Sequence, residues 1–194
     1  MERGPQVVGG PLAAEGPPAS GGSLADENAR LYEEAQRQHR WLQASGEVTT
    51  SLLSGTEPRQ VLTAITAQVH ELSGADLVVV ALPEDSGRRI TIVSAVGDGA
   101  DNVVGLVLPA DQSLPGQVLA TGKPVTISDY SADPRSSGAV RGLMDHIGPK
   151  MIFPLGAPGN VLGVLSVGRL RGGPPFAPAA GDVIASFAAQ AGVA

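Results

Sequence analysis

Apolar residues recur at helical spacing in two stretches of the chain. After Gly55, Thr56-Glu57-Pro58 supplies a capping residue and an early proline, and Val61, Leu62, Ile65, Val69 and Leu72 then share one face up to a stop at Gly74. The second stripe, Val183, Ile184, Phe187, Ala188 and Ala191, begins near Pro178 and is still helical in pattern at Ala194, as expected of a fragment of a longer chain. A weaker pattern precedes both. Residues 24–54 are rich in Ala, Glu, Gln, Arg and Leu, with Asp26 as a candidate N-cap. There Leu31, Ala35, Leu42, Thr49 and Leu52 follow a rough heptad lattice, interrupted by Gln38 and Ser45. So narrow a stripe pairs helices instead of filling a core, so this segment is expected to form a homodimer through Leu31, Ala35, Leu42 and Leu52.

Between the two amphipathic helices the period changes to that of strands. Leu77–Leu82 and Val161–Val167 are apolar on both faces, which predicts central strands covered on two sides. Ile90–Val96, with Ile90, Ile92 and Val96 on one face, and the alternating Val125–Ser128 suit positions nearer an edge. Val103–Leu108 and Met151–Leu155 complete six strands. The short connections 83–89 and 156–160 predict antiparallel hairpins. Ser113-Leu114-Pro115 opens a short helix closed by Gly122 and Pro124. A long loop then runs from Asp129 to Pro149, with a helical turn expected over Val140–Asp145. The order predicts an α+β fold in which the long helices cover one sheet face and the short helix and long loop roof the other. A roof of irregular chain commonly leaves a cavity, and Ile127, Met144, His146, Met151 and Phe153 are its candidate ligand-binding residues by loop position and apolar character.

Composition narrows the chemistry. None of the 194 residues is a cysteine, which excludes disulfides, thiolate metal sites and thiol catalysis. A formal charge of -6 and only 3% aromatic residues argue against nucleic-acid binding. No apolar run is long enough to cross a bilayer and no export signal is evident, so a cytoplasmic location is expected. Residues 1–23 are dense in Gly and Pro and are expected to be a disordered tail. Phosphotransfer motifs and a nucleophile with a base partner are both missing, and the acidic residues of the long loop are too spread for a metal site. Enzyme activity is therefore not expected. Only His39, His70 and His146 could ligate a haem iron, and His39 reads as a solvated helix position.

A family resemblance runs through these elements. Asn28–Ala35, Trp41-Leu42 and Leu52–Pro58 resemble the helix leading into a GAF domain of actinobacterial sensor proteins. Leu114–Leu119 with Gly122-Lys123-Pro124, Phe153-Pro154-Leu155, Val161–Leu165 and Pro175-Phe176 are similar to the same family in order and spacing. The resemblance covers roughly Asp26 to Ala194, with residues 55–194 as the GAF domain itself, and is nearest to the second GAF domain of dormancy-type oxygen and redox sensor histidine kinases. It implies a six-stranded antiparallel sheet and a regulatory module for small-ligand sensing and signal transmission in a two-component-type system, alongside a kinase or phosphatase output domain. Haem-binding members of the resembled family place their proximal histidine near the position of His146, which makes His146 a minor candidate for a haem-based gas or redox sensor. The second domain that this chain resembles most does not bind haem, so no cofactor is the main expectation. The alternative reading is a degenerate, ligand-free GAF domain that acts only in dimerisation and domain spacing.

Overall fold

The computed structural model describes residues 26–32, 35–36, 58–136, 138, 142–157 and 159–191. Residues 26–32 and 35–36 are helical and exposed, so Leu31 and Ala35 are both open on their helix. Leu42, Leu52 and the Gly/Pro-rich segment 1–23 lie outside the described residues.

The remaining elements follow in the order α1 (Pro58–Ser73), β1 (Leu77–Glu84), β2 (Arg89–Gly97), a single turn α2 (Ala100–Val103), β3 (Val107–Pro109), α3 (Leu114–Thr121), β4 (Val125–Ile127), β5 (Ile147–Ala157), β6 (Asn160–Leu170) and α4 (Pro178–Ala191). The six strands form one sheet in the order β3-β2-β1-β6-β5-β4, antiparallel throughout. The central pair, β1 and β6, carries the two continuously apolar runs, because each lies between two neighbours and beneath packing on both faces.

The side-chain period of two divides the interior into separate layers. On one face Val78, Val80, Met151, Phe153, Leu155, Leu165 and Val167 pack against Val61, Ile65 and Val69 of α1 and Ile184, Phe187 and Ala188 of α4. On the other, Leu77, Val79, Ala81, Ile90, Ile92, Ile152 and Val164 meet Leu114 and Val118 of α3 together with Tyr130, Met144 and Ile147. Helices thus cover the first face, and among the described residues the short helix α3 with turns of the crossing roofs the second. The helix ends follow the sequence signals. Ser113 Oγ accepts from the Gly116 N–H at 3.2 Å to cap α3, and Gly122 closes it at φ 63°.

Three local readings are corrected. Val103–Leu108 is not one strand: Gly99 and Gly105 adopt positive φ, Ala100–Val103 coils into α2, and regular pairing with β2 is confined to Val107–Pro109. In β2 the register slips opposite Val80/Ala81, leaving Val93 unpaired. Val96 therefore lies opposite Val78, on the helix side, while Ile90 and Ile92 face the roof. The long loop also ends earlier than expected. β5 starts at Ile147, and an irregularity between Ile147 and Lys150 accommodates Pro149 within the strand. Of the turn expected at Val140–Asp145, Val140 and Arg141 lie outside the described residues; Gly138 just before them is helical, and residues 142–145 form turns and bends.

Candidate functional site

The roof over the sheet is tied down by its own backbone. Tyr130 N–H donates to Gly148 O at 2.8 Å, Ile147 N–H to Met144 O at 3.1 Å, and Arg171 N–H to His146 O at 2.7 Å. The start of the crossing is a sequence of side-chain-stapled turns. Asp129 Oδ1 accepts from the N–H and hydroxyl of Ser131, and the Ser131 hydrogen bond is the first cause holding its carboxyl below the usual range. Asp133 accepts from the Arg135 backbone N–H and takes its guanidinium in a two-toothed pair at 3.0 and 2.7 Å, which likewise lowers the carboxyl. These carboxylates serve the loop that carries them.

Inside this shell sits a side chain that the sequence reading passed over. Lys150 is only 4% exposed, on the roof side of β5 between its strand partners Ile127 of β4 and Gly168 of β6. Its Nζ lies 3.9 Å from the centre of the buried Tyr130 ring and donates to Met144 Sδ at 3.6 Å. Among the described residues no oxygen accepts from it and no carboxylate pairs with it. Burial without a counter-charge pushes the ammonium down to about 8. A ring face and a thioether stabilise a cation more weakly than the water they replace. The sequence signal for Lys150 was available: it is the lone charged residue in Ile147–Leu155, and strand alternation puts it in phase with buried Ile152. Assigning residues up to Pro149 to a loop concealed that phase.

The five candidate ligand residues do not come together. Ile127 and Met144 are buried on the roof side, Met144 touching Lys150. Met151 and Phe153 face the other way, into the layer under α1 and α4, because adjacent strand residues point to opposite faces. Both are thus helix-side core residues, and Met151 Cε lies against the Cα side of Gly181 in α4. His146 sits at the roof margin with its side chain 32% exposed, Nδ1 4.0 Å from Asp145 and Nε2 buried against Gly99 without a hydrogen bond.

A separate surface cleft of about 520 Å³ opens at one end of the sheet, between the β1–β2 turn, the C-terminal end of α3 and the β5–β6 turn. None of the five candidates lines it, and neither does Lys150. Its acidic residues Glu84 and Asp85 are engaged by Arg89, at 3.9 and 2.8 Å. No helix among the described residues is long and apolar enough to cross a membrane.

Solved structures share this architecture. The second GAF domain of DevS from Mycobacterium smegmatis is 28% identical, with a TM-score of 0.59 over 71% of this chain and 91% of that one. A segment of a methyl-accepting chemotaxis protein matches at 24% identity and a TM-score of 0.64, over 77% of this chain and 93% of that one. Free methionine-R-sulfoxide reductase from Neisseria meningitidis, solved with its substrate, matches at 17% identity and a TM-score of 0.62, over 79% and 86%; at such identities the likeness is one of fold. A GAF-domain family model matches residues 55–194. With that match spanning most of the chain, and with its curled six-stranded sheet between helices and roof, the protein belongs to the GAF-domain family, whose members are regulatory small-ligand-sensing modules of signalling proteins.

Proposed function

We propose that this chain is a non-catalytic sensor module of a bacterial two-component-type system, related to the sensor domains of actinobacterial dormancy kinases. It takes up a small molecule between the sheet and its roof and passes the change to flanking helices. The observation that carries this reading is the second apolar layer. Among the described residues it is closed by the short helix α3 and by turns of the crossing instead of by long helices, so it can open without unfolding the helix-side core. Likeness to the DevS domain supports the placement among bacterial sensors.

In this reading the exposed Leu31 and Ala35, with Leu42 and Leu52 on the same heptad lattice, form a cytoplasmic homodimer's helical seam and connect to a kinase or phosphatase output domain. A ligand moves such a device only through its differential affinity for two states. Native mass spectrometry of protein purified from its natural host tests the reading directly: a discrete mass above that of the bare chain is expected, and the bare mass alone would count against it. One observation favours the second reading, a ligand-free spacer: Tyr130, Met144 and Ile147 are each at most 2% exposed and already occupy the space beneath the roof.

A further inference from the structure

We infer that the ligand of the roof layer is a small carboxylic acid with a short hydrocarbon body, its carboxylate paired with the Lys150 ammonium. This rests on the sensor reading above and gives that site its ligand class.

The argument starts from unmet chemistry. An ammonium has three N–H donors, and Lys150 directs one at a thioether sulfur, the weakest acceptor a side chain offers. Its remaining contact is the face of Tyr130. A carboxylate would replace these with charge-assisted hydrogen bonds in a site from which water is excluded, where they are strongest. The charge count selects a monoanion. Among the described roof residues the arginines are committed elsewhere: Arg135 holds Asp133, and Arg171 donates to Asp145 O at 2.5 Å. A phosphate would bring more charge than one lysine balances. The side chains around the ammonium favour a hydrocarbon body, because Ile127, Ile152 and Met144 can solvate a few methylenes and the buried polar side chain on this face of β6, Ser166, brings one hydroxyl. Met144 is also the residue best suited to make room, being unbranched and able to change rotamer at little cost. Burial pushes the lysine toward about 8, so carboxylate binding should draw a proton to any neutral fraction and weaken as the pH rises above that value.

The test titrates the full chain at pH 7 with the straight-chain acids from butyrate to octanoate and with the matching primary amides, by calorimetry and by amide shifts in the roof. At least one acid should bind roughly tenfold or more tightly than its amide, the margin expected of a charge-assisted pair. That preference should vanish in Lys150→Met and persist in Lys150→Arg. Equal affinity for acid and amide, or undiminished acid binding in Lys150→Met, would overturn the carboxylate assignment while leaving a roof ligand in place. Failure of every acid to bind the wild type would also overturn it. A neutral small molecule recovered with host-purified protein would then separate a wrong ligand class from a wrong sensor reading.

Discussion

Replacing Lys150 with methionine should stabilise the apoprotein, and the gain should shrink as the pH rises. Methionine keeps an unbranched chain of similar length against Tyr130 while removing a charge that the interior cannot solvate. A fall from an ordinary 10.5 to about 8, at about 1.36 kcal/mol per pH unit, means the folded state is about 3 kcal/mol poorer for carrying the proton. That cost is fully present below pH 8, where both states hold the proton. Between 8 and 10.5 the unfolded chain binds more protons than the native one, so wild-type stability climbs with pH. The remaining cost falls from about 3 kcal/mol at pH 7 to about 1 kcal/mol at pH 10, so the variant's advantage narrows by about 2 kcal/mol. The Tyr130 contact, worth roughly 1–2 kcal/mol to the charged form, trims the narrowing toward about 1 kcal/mol.

Urea unfolding of both proteins at several pH values measures this directly. With a slope near 2 kcal/mol per molar, the gap between midpoints should close by roughly 0.5–1 M from pH 7 to pH 10. Other titrating groups are shared by the two proteins and cancel in the difference. A gap that does not vary with pH, or a variant less stable than wild type at pH 7, would refute the premise that Lys150 is a buried, unpaired cation.

Other expectations follow from the same geometry. Gly116→Ala should cost roughly 1–3 kcal/mol in urea unfolding and loosen the roof in hydrogen exchange, because the added Cβ would overlap Ala110 O where α3 begins. Phe187→Ala should cost roughly 3–5 kcal/mol, since the ring is 2% exposed in the helix-side layer; a loss under about 1 kcal/mol would contradict the assigned core. Haem added to the protein should give a broad absorption band identical in His146→Ala, because Nε2 is shut in against Gly99; a sharp Soret band that the substitution abolishes would refute this. The double variant Leu31→Asp/Leu42→Asp should sediment as a monomer if the leading helix is the dimer seam, and an unchanged mass would remove it from that role.

How much of this was legible in the sequence depended on whether an element declares its own period. The stripes of α1 and α4 and the doubly apolar β1 and β6 were readable because each repeats over several turns or strand residues. The capped α3 was readable from Ser113 and Gly122. Errors clustered where a glycine or an extra residue resets the phase. Gly99 and Gly105 coil the chain before β3, and the bulge at Val93 moves Val96 across the sheet. At the site, apolar character alone could not separate Met144 from Met151 or Ile127 from Phe153, since what parts them is the face of the sheet each occupies. Lys150 escaped because a proline one residue earlier looks like loop, and its burial depends on chain more than a dozen residues distant, Tyr130 among it.

The alternation that separated the candidate residues also gives the proposed sensor its line of transmission. Lys150 and Met151 are consecutive on β5, the first under the roof and the second against α4, where Met151 Cε packs at Gly181. A ligand that displaces Met144 and draws the Lys150 ammonium would act on the backbone of the strand that also seats Phe153 and Leu155 against Ile184 and Phe187. Close-packed layers do not deform continuously, so a shift of β5 is relieved by α4 repacking as a unit. If that coupling operates, Gly181→Ala should weaken the response of α4 to hexanoate without altering the shifts in the roof, because its Cβ would press on Met151 Cε from the far side and block its movement. Amide shifts read in both layers would decide it. Changes confined to the roof in wild type would mean that β5 is a wall between the two layers and not a lever.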